Sequence, residues 1–400
     1  HRHAALLRLR GVPVVRLHGT AVERGTAHGA LLARQILDWF EFYLLEDRFR
    51  SARTYQQEFV PFLEHNFRWP VAMVQEVDAV LAGMKGSGVP LRVAALARDF
   101  NRTDLLAINA YVETRAMRSA CTQFAVWGAQ TAGTDVAGGL IAGRNMDGEV
   151  DLRKTTVMHT LVFAVEQRAP GKHRFASVMW PGFVGTLSGI SEDGLYSMEN
   201  ASGSGRGPVE NALVPISWTQ RFILENVTAS VTPDAIARLF DAHRSSGGGA
   251  CGPGCIVFFA QPFRGQRAPA FVYEGDRFGG VMRLPGEVRP SAQTCLMASN
   301  HPLKYRAGTG VPVPSFSSRW RYEAGKNLLE TWTRQRRPIG TTEMLRLLQS
   351  ACHGTTEHSV IFRANQKTID LAIDDLKADM WDAPYLAWQR FAFAELFRPK

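Results

Sequence analysis

Apolar side chains recur at helical spacing through most of the first 120 residues. Residues 12–17 predict a short strand, and a capping box formed by Thr20 and Glu23 predicts the start of a helix directly after it. The predicted helices cover 20–45, 52–84 with breaks at Pro61 and Pro70, and 91–116. We therefore expect residues 1–120 to be mainly helical.

From Cys121 onward the pattern changes to short apolar runs separated by Gly-rich turns, which predicts strands. The first predicted strands cover 123–126, 140–144, 155–165, 174–180 and 194–199. Two helices are predicted over 215–243, followed by strands over 255–260, 270–273, 281–284 and 294–298. Helices near 318–334 and 341–351 precede a last strand pair over 358–362 and 368–373. Strands on both sides of a helical block predict an α+β fold, in which two antiparallel sheets pack face to face with helices outside.

The composition is that of a globular protein, with 45% hydrophobic and 21% charged residues in a chain of 400. No apolar stretch approaches the roughly 18 residues that cross a bilayer, so we expect no membrane span.

The net charge of +9 comes mainly from scattered arginines. The densest basic run, 334–337, is interpreted as a solvated helix end, and no nucleic-acid-binding motif accompanies it. We expect no nucleic-acid partner.

Five cysteines in 400 residues do not form a disulfide framework. Cys251 and Cys255 lie in CGPGC, where a Gly-rich loop could hold a local bridge. A tight turn is the favoured interpretation, and no His or Cys pair nearby completes a metal site. The sequence therefore predicts no metal and no cofactor. Because the chain begins at His1, a signal peptide removed earlier is compatible with it, and the compartment stays open with the cytoplasm slightly favoured.

Four separate segments carry residues suited to nucleophilic chemistry. They are SACT at 119–122, GRNMD at 143–147, GLYSMEN at 194–200, and SNHP at 299–302 with SSR at 317–319 downstream. Each has an ordinary structural explanation when taken singly, since a lone cysteine is most often a small buried residue. The 23 residues from Cys121 to Arg144 suffice for a strand, a turn and a returning strand. Such a hairpin would bring Arg144 and Asp147 close to the Cys121 thiol.

In this order the segments resemble the cysteine N-terminal-nucleophile (Ntn) hydrolases. Within that superfamily the chain is most similar to the isopenicillin-N acyltransferase (acyl-CoA:6-aminopenicillanic acid acyltransferase) family, and more distantly to bile salt hydrolases and penicillin V acylases. The resemblance extends to GTAVERGTAHGAL at 19–31 and TTEHSVIF at 355–362, and so to most of the chain. At 143–147 the sequence is closer to the bile salt hydrolases than to the Q-N-W-D of the penicillin acyltransferases.

The resemblance implies a four-layer αββα sandwich and a division of the chain at its nucleophile. Residues 1–120 would form a helical pro-segment or α chain, and residues 121–400 the catalytic domain. The chain would cut itself between Ala120 and Cys121, and small residues at this point leave room for the strained turn that the cut requires. The two fragments, of 120 and 280 residues, would remain associated.

The chemistry of such a nucleophile can be stated in physical terms. A free thiol is only a few per cent ionised at neutral pH. If Cys121 begins a chain, its own α-amine, with an ordinary pKa near 8, can serve as the base, and no histidine is required. The resemblance implies that Asp147 holds this amine and that Arg144 steadies the nucleophile.

The resemblance also implies the remaining members of the site. Asn200 or Asn300 would donate to the oxyanion, a contribution of roughly 3 kcal/mol. Arg319, with Ser318 beside it, would complete the charge balance around Cys121. The candidates for contact with the substrate are Ser318, His301, Phe124 and Trp180. Aromatic residues of this kind are more commonly part of a core, so this last assignment has an ordinary alternative.

These residues predict an enzyme that cleaves or exchanges a small linear amide through an acyl-Cys121 thioester. Its partners would be the amide substrate, its own N-terminal fragment and, for an acyltransferase, an acyl donor such as acyl-CoA. A second hypothesis is a Cys-His thiol hydrolase that works without self-processing, through Cys121 with His301 or His358. A third is a non-enzymatic scaffold that retains the fold. The substrate, the acyl acceptor and the oligomeric state stay open.

Overall fold

The computed structural model describes residues 2–113, 120–148, 153–202, 213–243, 254–265, 267–306, 314–375 and 382–398. Its strands are β1 (Ala4–Leu9), β2 (Val12–Gly19), β3 (Arg92–Val93), β4 (Arg98–Asp99), β5 (Ala120–Val126), β6 (Ile141–Asp147), β7 (Leu161–Gln167), β8 (Phe175–Met179), β9 (Ser188–Ser191), β10 (Tyr196–Ala201), β11 (Cys255–Ala260), β12 (Ala270–Asp276), β13 (Gly279–Arg283), β14 (Cys295–Ala298), β15 (Thr356–Arg363), β16 (Thr368–Ile373) and β17 (Gln389–Ala392). Ser119 and Cys251, which the sequence interpretation uses, lie outside the described residues.

The helices of the described residues lie mainly in two blocks, one before β3 and one between β10 and β15, with two further helices outside them. They are α1 (Ala21–Asp38), α2 (Ala52–Thr54), α3 (Val60–Asn66), α4 (Val71–Gly86), α5 (Arg102–Ala110), α6 (Arg153–Met158), α7 (Ile216–Asn226), α8 (Pro233–His243), α9 (Phe316–Arg334) and α10 (Thr341–Ser350). Two π-helical stretches, Trp39–Arg48 and Tyr55–Phe59, follow α1 and α2 without a break. The capping box of Thr20 and Glu23 starts α1 as the sequence predicts.

Two large sheets organise the fold. One has the strand order β1-β2-β7-β8-β9-β10-β11-β12-β13, and the other has the order β14-β5-β6-β15-β16-β17. Every neighbouring pair in these sheets is antiparallel except β2 and β7, which run parallel. The α+β class predicted from the sequence is confirmed.

Three apolar cores separate four layers. The first core lies between the nine-stranded sheet and the helices of the N-terminal half together with α7 and α8. The second lies between the two sheets, where Tyr196 and Met198 meet Ala125, Ala142 and Val360. The third fills the space between the six-stranded sheet and helices α9 and α10. The layers are therefore helices, sheet, sheet and helices, as the αββα expectation requires.

The N-terminal segment is built into this sandwich. Strand β2 pairs with β7 from Val14 to Gly19, so the segment supplies two strands of the larger sheet. Helix α1 packs on α4 at a separation that side chains would prevent: a Cβ added to Gly29 would lie 1.9 Å from the carbonyl oxygen of Val80. Residues 1–120 are thus mainly helical, as predicted, but contribute one more strand (β1) to the sheet than the apolar pattern indicates.

Two predicted elements differ from the structure. The helix predicted over 91–116 begins only at α5, because Asn101 caps it through Thr103 and Asp104, while β3 and β4 form a short hairpin before it. The strand predicted over 155–165 is split into α6 and β7. The β-branched residues of this stretch favour a strand, but tertiary contacts override the preference: the indole nitrogen of Trp180 donates to the Thr156 carbonyl at 3.1 Å and holds the helical turn.

Candidate active site

Cys121 is the second residue of β5, and its side chain points into the space between the two sheets. Alternation along the strand places Cys121, Gln123 and Ala125 on this inner face. The Cys121 residue is 1% exposed, and its sulfur lies 3.6 Å from the Met146 sulfur and 3.6 Å from Nη2 of Arg144. Burial raises the pKa of the thiol, and the positive charge of Arg144 acts in the opposite direction.

The backbone of Cys121 is held by side chains. Strand β14 pairs with β5 only as far as Ala298 opposite Gln123, so it ends before it reaches Cys121. Beyond that point the Cys121 N–H donates to Oδ1 of Asn300 at 2.7 Å, and the Cys121 carbonyl accepts from Nη1 of Arg321 at 2.6 Å. Arg321 also donates to Oδ1 of Asn300 at 2.8 Å. The three residues therefore form one connected unit.

Arg144 lies on the inner face of β6, opposite Gln123 in the register. Its guanidinium donates to the carbonyls of Leu187 at 2.7 Å and Glu199 at 2.5 Å, and to the Ser188 hydroxyl. These acceptors belong to β9, β10 and the residue before β9, so the larger sheet holds the guanidinium in place beside the thiol. Since the acceptors are neutral, the positive charge stays available to a thiolate.

Asp147 ends β6 and pairs with Ala120, on the face opposite to the thiol. It is fully buried: Oδ1 accepts from the Thr356 hydroxyl at 2.5 Å, and Oδ2 has no hydrogen-bond partner among the described residues. Nη1 of Arg321 lies 3.9 Å away. Burial raises the pKa of Asp147 to about 7, against the opposing effects of Arg321 and Thr356. In the intact chain, Asn300 and not Asp147 contacts the nitrogen that would become the α-amine.

The two candidate oxyanion donors link the ends of β10 and β14. The amide nitrogen of Asn200 donates to the Ser299 carbonyl at 3.1 Å, and that of Asn300 donates to the Ala201 carbonyl at 2.8 Å. Asn200 also accepts from Gln123 at 2.7 Å. Each amide nitrogen carries a second hydrogen, so the geometry does not choose between Asn200 and Asn300.

The arginine of α9 that reaches Cys121 is Arg321, which the sequence interpretation missed. Arg319 is exposed, whereas Arg321 is fully buried and also donates to the Thr122 hydroxyl at 2.6 Å. The expectation that Arg319 completes the charge balance is therefore not met. A helical signal was present: the buried positions of α9 include 318, 321, 322 and 325, which lie on one face at helical spacing. Position 319 falls outside that stripe.

Ser318 and His301 contact the turn that carries Asn300. The Ser318 hydroxyl accepts from the Asn300 N–H at 2.9 Å and lies 2.7 Å from Nδ1 of His301. The ring of His301 packs edge-on against Tyr322, and burial lowers its pKa to about 4. Both residues thus support the turn that presents Asn300 to Cys121. Their predicted contact with substrate stays a prediction.

Phe124 and Trp180 are core residues in the structure, which corrects their assignment to a substrate pocket. Phe124 is one residue out of phase with Gln123, so it points to α9 and packs in the third core, where it leaves space only for a glycine at 325. Trp180 is 3% exposed and packs against Trp39 and Phe183, with ring centroids 5.8 Å apart in both pairs.

Glu199 is a further buried acid near the thiol that the motifs did not single out. It precedes Asn200 on β10, is 5% exposed, and its negative charge raises the pKa of Cys121. Burial raises the pKa of Glu199 itself to about 8, and Arg144 acts in the opposite direction. At neutral pH most of this carboxyl group is therefore uncharged.

No protein-family model matches the chain, and none of the curated proteins matches it. Among solved structures it is similar to the N-acylethanolamine-hydrolyzing acid amidase (NAAA) ortholog of Caenorhabditis elegans, with 16% identity, a TM-score of 0.43, and coverage of 61% of this chain and 93% of that chain. It is also similar to a mutant conjugated bile acid hydrolase from Clostridium perfringens (8% identity, TM-score 0.43, coverage 69% and 93%). Penicillin V acylase from Agrobacterium tumefaciens is a third similar structure (12% identity, TM-score 0.36, coverage 63% and 83%). Likeness at this level adds no argument to the geometry.

The described residues contain no group of three His, Cys, Asp or Glu side chains arranged to hold a metal ion. Nor does any helix in the described ranges have both the length and the apolar character to cross a membrane. The site combines a buried thiol, a fixed guanidinium beside it, and two amide side chains near the part of β5 that β14 does not reach. This combination is suited to nucleophilic attack on a carbonyl and to stabilisation of the resulting oxyanion.

Proposed function

We propose that the protein is a self-processing cysteine enzyme of the Ntn type, which acts on a linear amide through an acyl-Cys121 thioester. One observation carries the proposal. Side chains contact all three polar groups of Cys121: Arg144 its thiol, Asn300 its N–H and Arg321 its carbonyl. The N–H and carbonyl groups of a strand residue normally pair with a neighbouring strand. A cysteine that only fills a core does not require side chains to contact these groups.

Self-processing begins when the Cys121 thiol attacks the carbonyl carbon of Ala120. A carbon–sulfur bond forms and the peptide carbon–nitrogen bond breaks, while the proton of the thiol passes to the departing nitrogen of Cys121. Water then hydrolyses the thioester, which releases the Ala120 carboxylate and returns the thiol. Asn300 Oδ1 and the Asp147 carboxylate stabilise the α-ammonium group that remains at Cys121.

Turnover repeats this chemistry on an external amide. The α-amine of Cys121 accepts the thiol proton, the thiolate forms a thioester with the acyl group, and the protonated amine returns its proton to the leaving nitrogen. Arg144 stabilises the thiolate, and the second N–H of Asn200 or Asn300 donates to the oxyanion. Water as the final nucleophile gives a hydrolase. An amine acceptor, with acyl-CoA as a donor, gives the acyltransferase activity of the isopenicillin-N type.

The Cys-His alternative has less support from the geometry. The ring of His301 lies against two serine hydroxyls, at 3.1 Å from Ser299 and 2.7 Å from Ser318. His358 lies beside Met146 in the next strand, so two strand spacings of about 4.8 Å separate it from Cys121. Its Nε2 is 3.4 Å from the Ser188 hydroxyl, and burial holds its pKa well below the ordinary value.

A panel of fluorogenic N-acyl amides, assayed with and without an added amine acceptor, tests the proposal. Wild type should release the fluorophore and accumulate an acyl-enzyme whose added mass lies on Cys121. Cys121→Ala should lose at least roughly a thousandfold in turnover, because nothing replaces the nucleophile. Cys295→Ala is the matched control, since it also removes a fully buried thiol but from β14, and it should retain activity. Turnover by Cys121→Ala at the level of wild type would overturn the proposal.

A further inference from the structure

A loop after α10 encloses the end of β6, where Asp147 lies. The N–H of Gly148 donates to the Thr355 carbonyl at 2.9 Å, and the Thr355 hydroxyl donates back to the Gly148 carbonyl at 2.8 Å. Glu357 packs so tightly over Gly148 that an added Cβ would lie 1.7 Å from its Oε1. The polypeptide on both sides of Thr356 is therefore fixed against β6.

Thr356 lies between these two contacts and opposite Asp147 in the register, next to an irregularity in the pairing of β15 with β6. Bulges of this kind re-aim a side chain. Here the fully buried hydroxyl of Thr356 donates to Oδ1 of Asp147 at 2.5 Å. Because a hydroxyl has one hydrogen, this bond leaves the oxygen of Thr356 free only to accept.

Two further groups lie behind the Thr356 hydroxyl. Sγ of Cys352 is 3.4 Å from Oγ1 of Thr356 and donates its hydrogen to Oδ2 of Asp382 at 2.9 Å. The thiol hydrogen is directed to Asp382, and the Thr356 hydrogen is directed to Asp147. Cys352 and Thr356 therefore donate in opposite directions, each to a different carboxylate.

This arrangement matters because Asp147 has few other partners. Its Oδ2 has no hydrogen-bond partner among the described residues, and the nearest ion-pair atom of Arg321 is 3.9 Å away. The charges that act on it are Arg321 from α9 and Arg144 from β6, which favour the carboxylate, and Asp382, which opposes it. The Thr356 hydroxyl is the hydrogen-bond donor that orients the carboxylate and favours its charged form.

We infer that Thr356 is a positioning residue for Asp147, whose carboxylate it orients through its hydroxyl. The inference rests on the proposed function, in which the Asp147 carboxylate stabilises the amine of Cys121. Self-processing and turnover would then depend on Thr356, a residue that does not itself contact Cys121.

The test compares Thr356→Val with Thr356→Ser. Valine keeps the shape and removes the hydroxyl, while serine keeps the hydroxyl. Without the hydrogen bond the carboxylate is harder to form, so the acidic limb of the rate–pH profile should move up by roughly one pH unit. With a starting pKa of about 7, self-processing at pH 7 should then slow roughly fivefold and approach wild type at pH 9. Thr356→Ser should restore the wild-type profile.

Ser359→Ala is the matched structural control. This residue lies on the same strand, is also fully buried, and donates to Oδ1 of Asn145 at 2.8 Å without contacting Asp147. We expect a lower melting temperature but an unshifted profile. An unshifted profile in folded Thr356→Val, with wild type cleaving before Cys121, would overturn the Thr356 inference alone. Absence of any cut in wild type would instead overturn the proposed function.

Discussion

Arg144 and Arg321 share the buried surroundings of the Cys121 thiol with Asp147 and Glu199. Burial destabilises every charged form in this site. It therefore raises the pKa of Cys121, Asp147 and Glu199 and lowers the pKa of Arg321. The intact site therefore favours neutral acids beside cationic guanidinium groups. A thiolate at Cys121 gives these cations a counter-charge, so the arrangement favours the form of the thiol that attacks a carbonyl.

Glu199→Gln tests this account of the residues through stability. The pKa of Glu199 is raised from 4.5 to about 8, so between these values the folded state keeps a proton that the unfolded state has lost. Stability of the wild type must then fall as pH rises through this window, by at most about 5 kcal/mol from this group. The melting temperature of Glu199→Gln, relative to wild type, should increase from pH 5 to pH 9.

Scanning fluorimetry across that pH range provides the measurement. Glu323→Gln, at an exposed position of α9, is the control and should follow the wild type at every pH. If the difference between Glu199→Gln and wild type stays constant from pH 5 to pH 9, the carboxyl group of Glu199 is not held neutral as described.

At the scale of elements, the contact of α1 with α4 depends on glycines. A Cβ at Gly29 would lie 1.9 Å from the Val80 carbonyl oxygen, and one at Gly83 would lie 2.0 Å from the Thr26 carbonyl oxygen. Backbone atoms cannot move aside as a side chain can, so the two helices must separate if either glycine gains a side chain. The segment 19–31, on which part of the family resemblance rests, contains Gly25 and Gly29.

Gly29→Ala should therefore destabilise the protein by about 3 kcal/mol, because it forces the two helices apart. The melting temperature should fall by roughly 5 °C or more. Gly86→Ala is the matched control at the end of α4, where a Cβ meets no atom within 4 Å; alanine there should be neutral or slightly stabilising. Equal melting temperatures for the two variants would contradict the proposed close packing.

The sequence predicts many of these elements because their patterns are local. Strand β11 matches its predicted range, and α7 and α8 fall within the predicted helical block. The strands that the pattern missed are β1, β3, β4, β9 and β17. Strand β9 consists of SGIS, whose small residues carry little periodic signal, and it becomes a strand because β8 and β10 pair with it on either side.

Some residues of the candidate site could be predicted from local sequence, and others are brought in only by tertiary structure. Cys121, Arg144 and Asp147 are brought together by one hairpin, β5 to β6, whose length the sequence shows. Asn300 and Arg321 join them only through the early end of β14 and the orientation of α9, which are tertiary features. A choice between Arg319 and Arg321 required the helical phase of α9, and the short motif alone favoured the wrong arginine.

On the scale of the whole molecule, residues before and after the proposed cut are joined by buried contacts. The Glu76 carboxylate of α4 accepts from Arg24 at 2.9 Å and from Arg221 of α7 at 2.7 Å. Asn109 accepts from the Val184 N–H at 2.8 Å and donates to the Gly182 carbonyl at 2.9 Å. Separation of the fragments would break the contacts of Glu76 with Arg221 and of Asn109 with Gly182 and Val184, at a cost of several kcal/mol. We therefore expect residues 1–120 to stay bound as an α chain.

Mass spectrometry and N-terminal sequencing of the purified, active protein test for the cut before Cys121. One sample is denatured and a second is kept native. We expect two polypeptides under denaturing conditions, 1–120 and 121–400, with the second beginning at Cys121, and a single complex of both under native conditions. Cys121→Ala should remain one polypeptide of 400 residues. An active wild-type preparation that contains only the uncut chain would contradict the account.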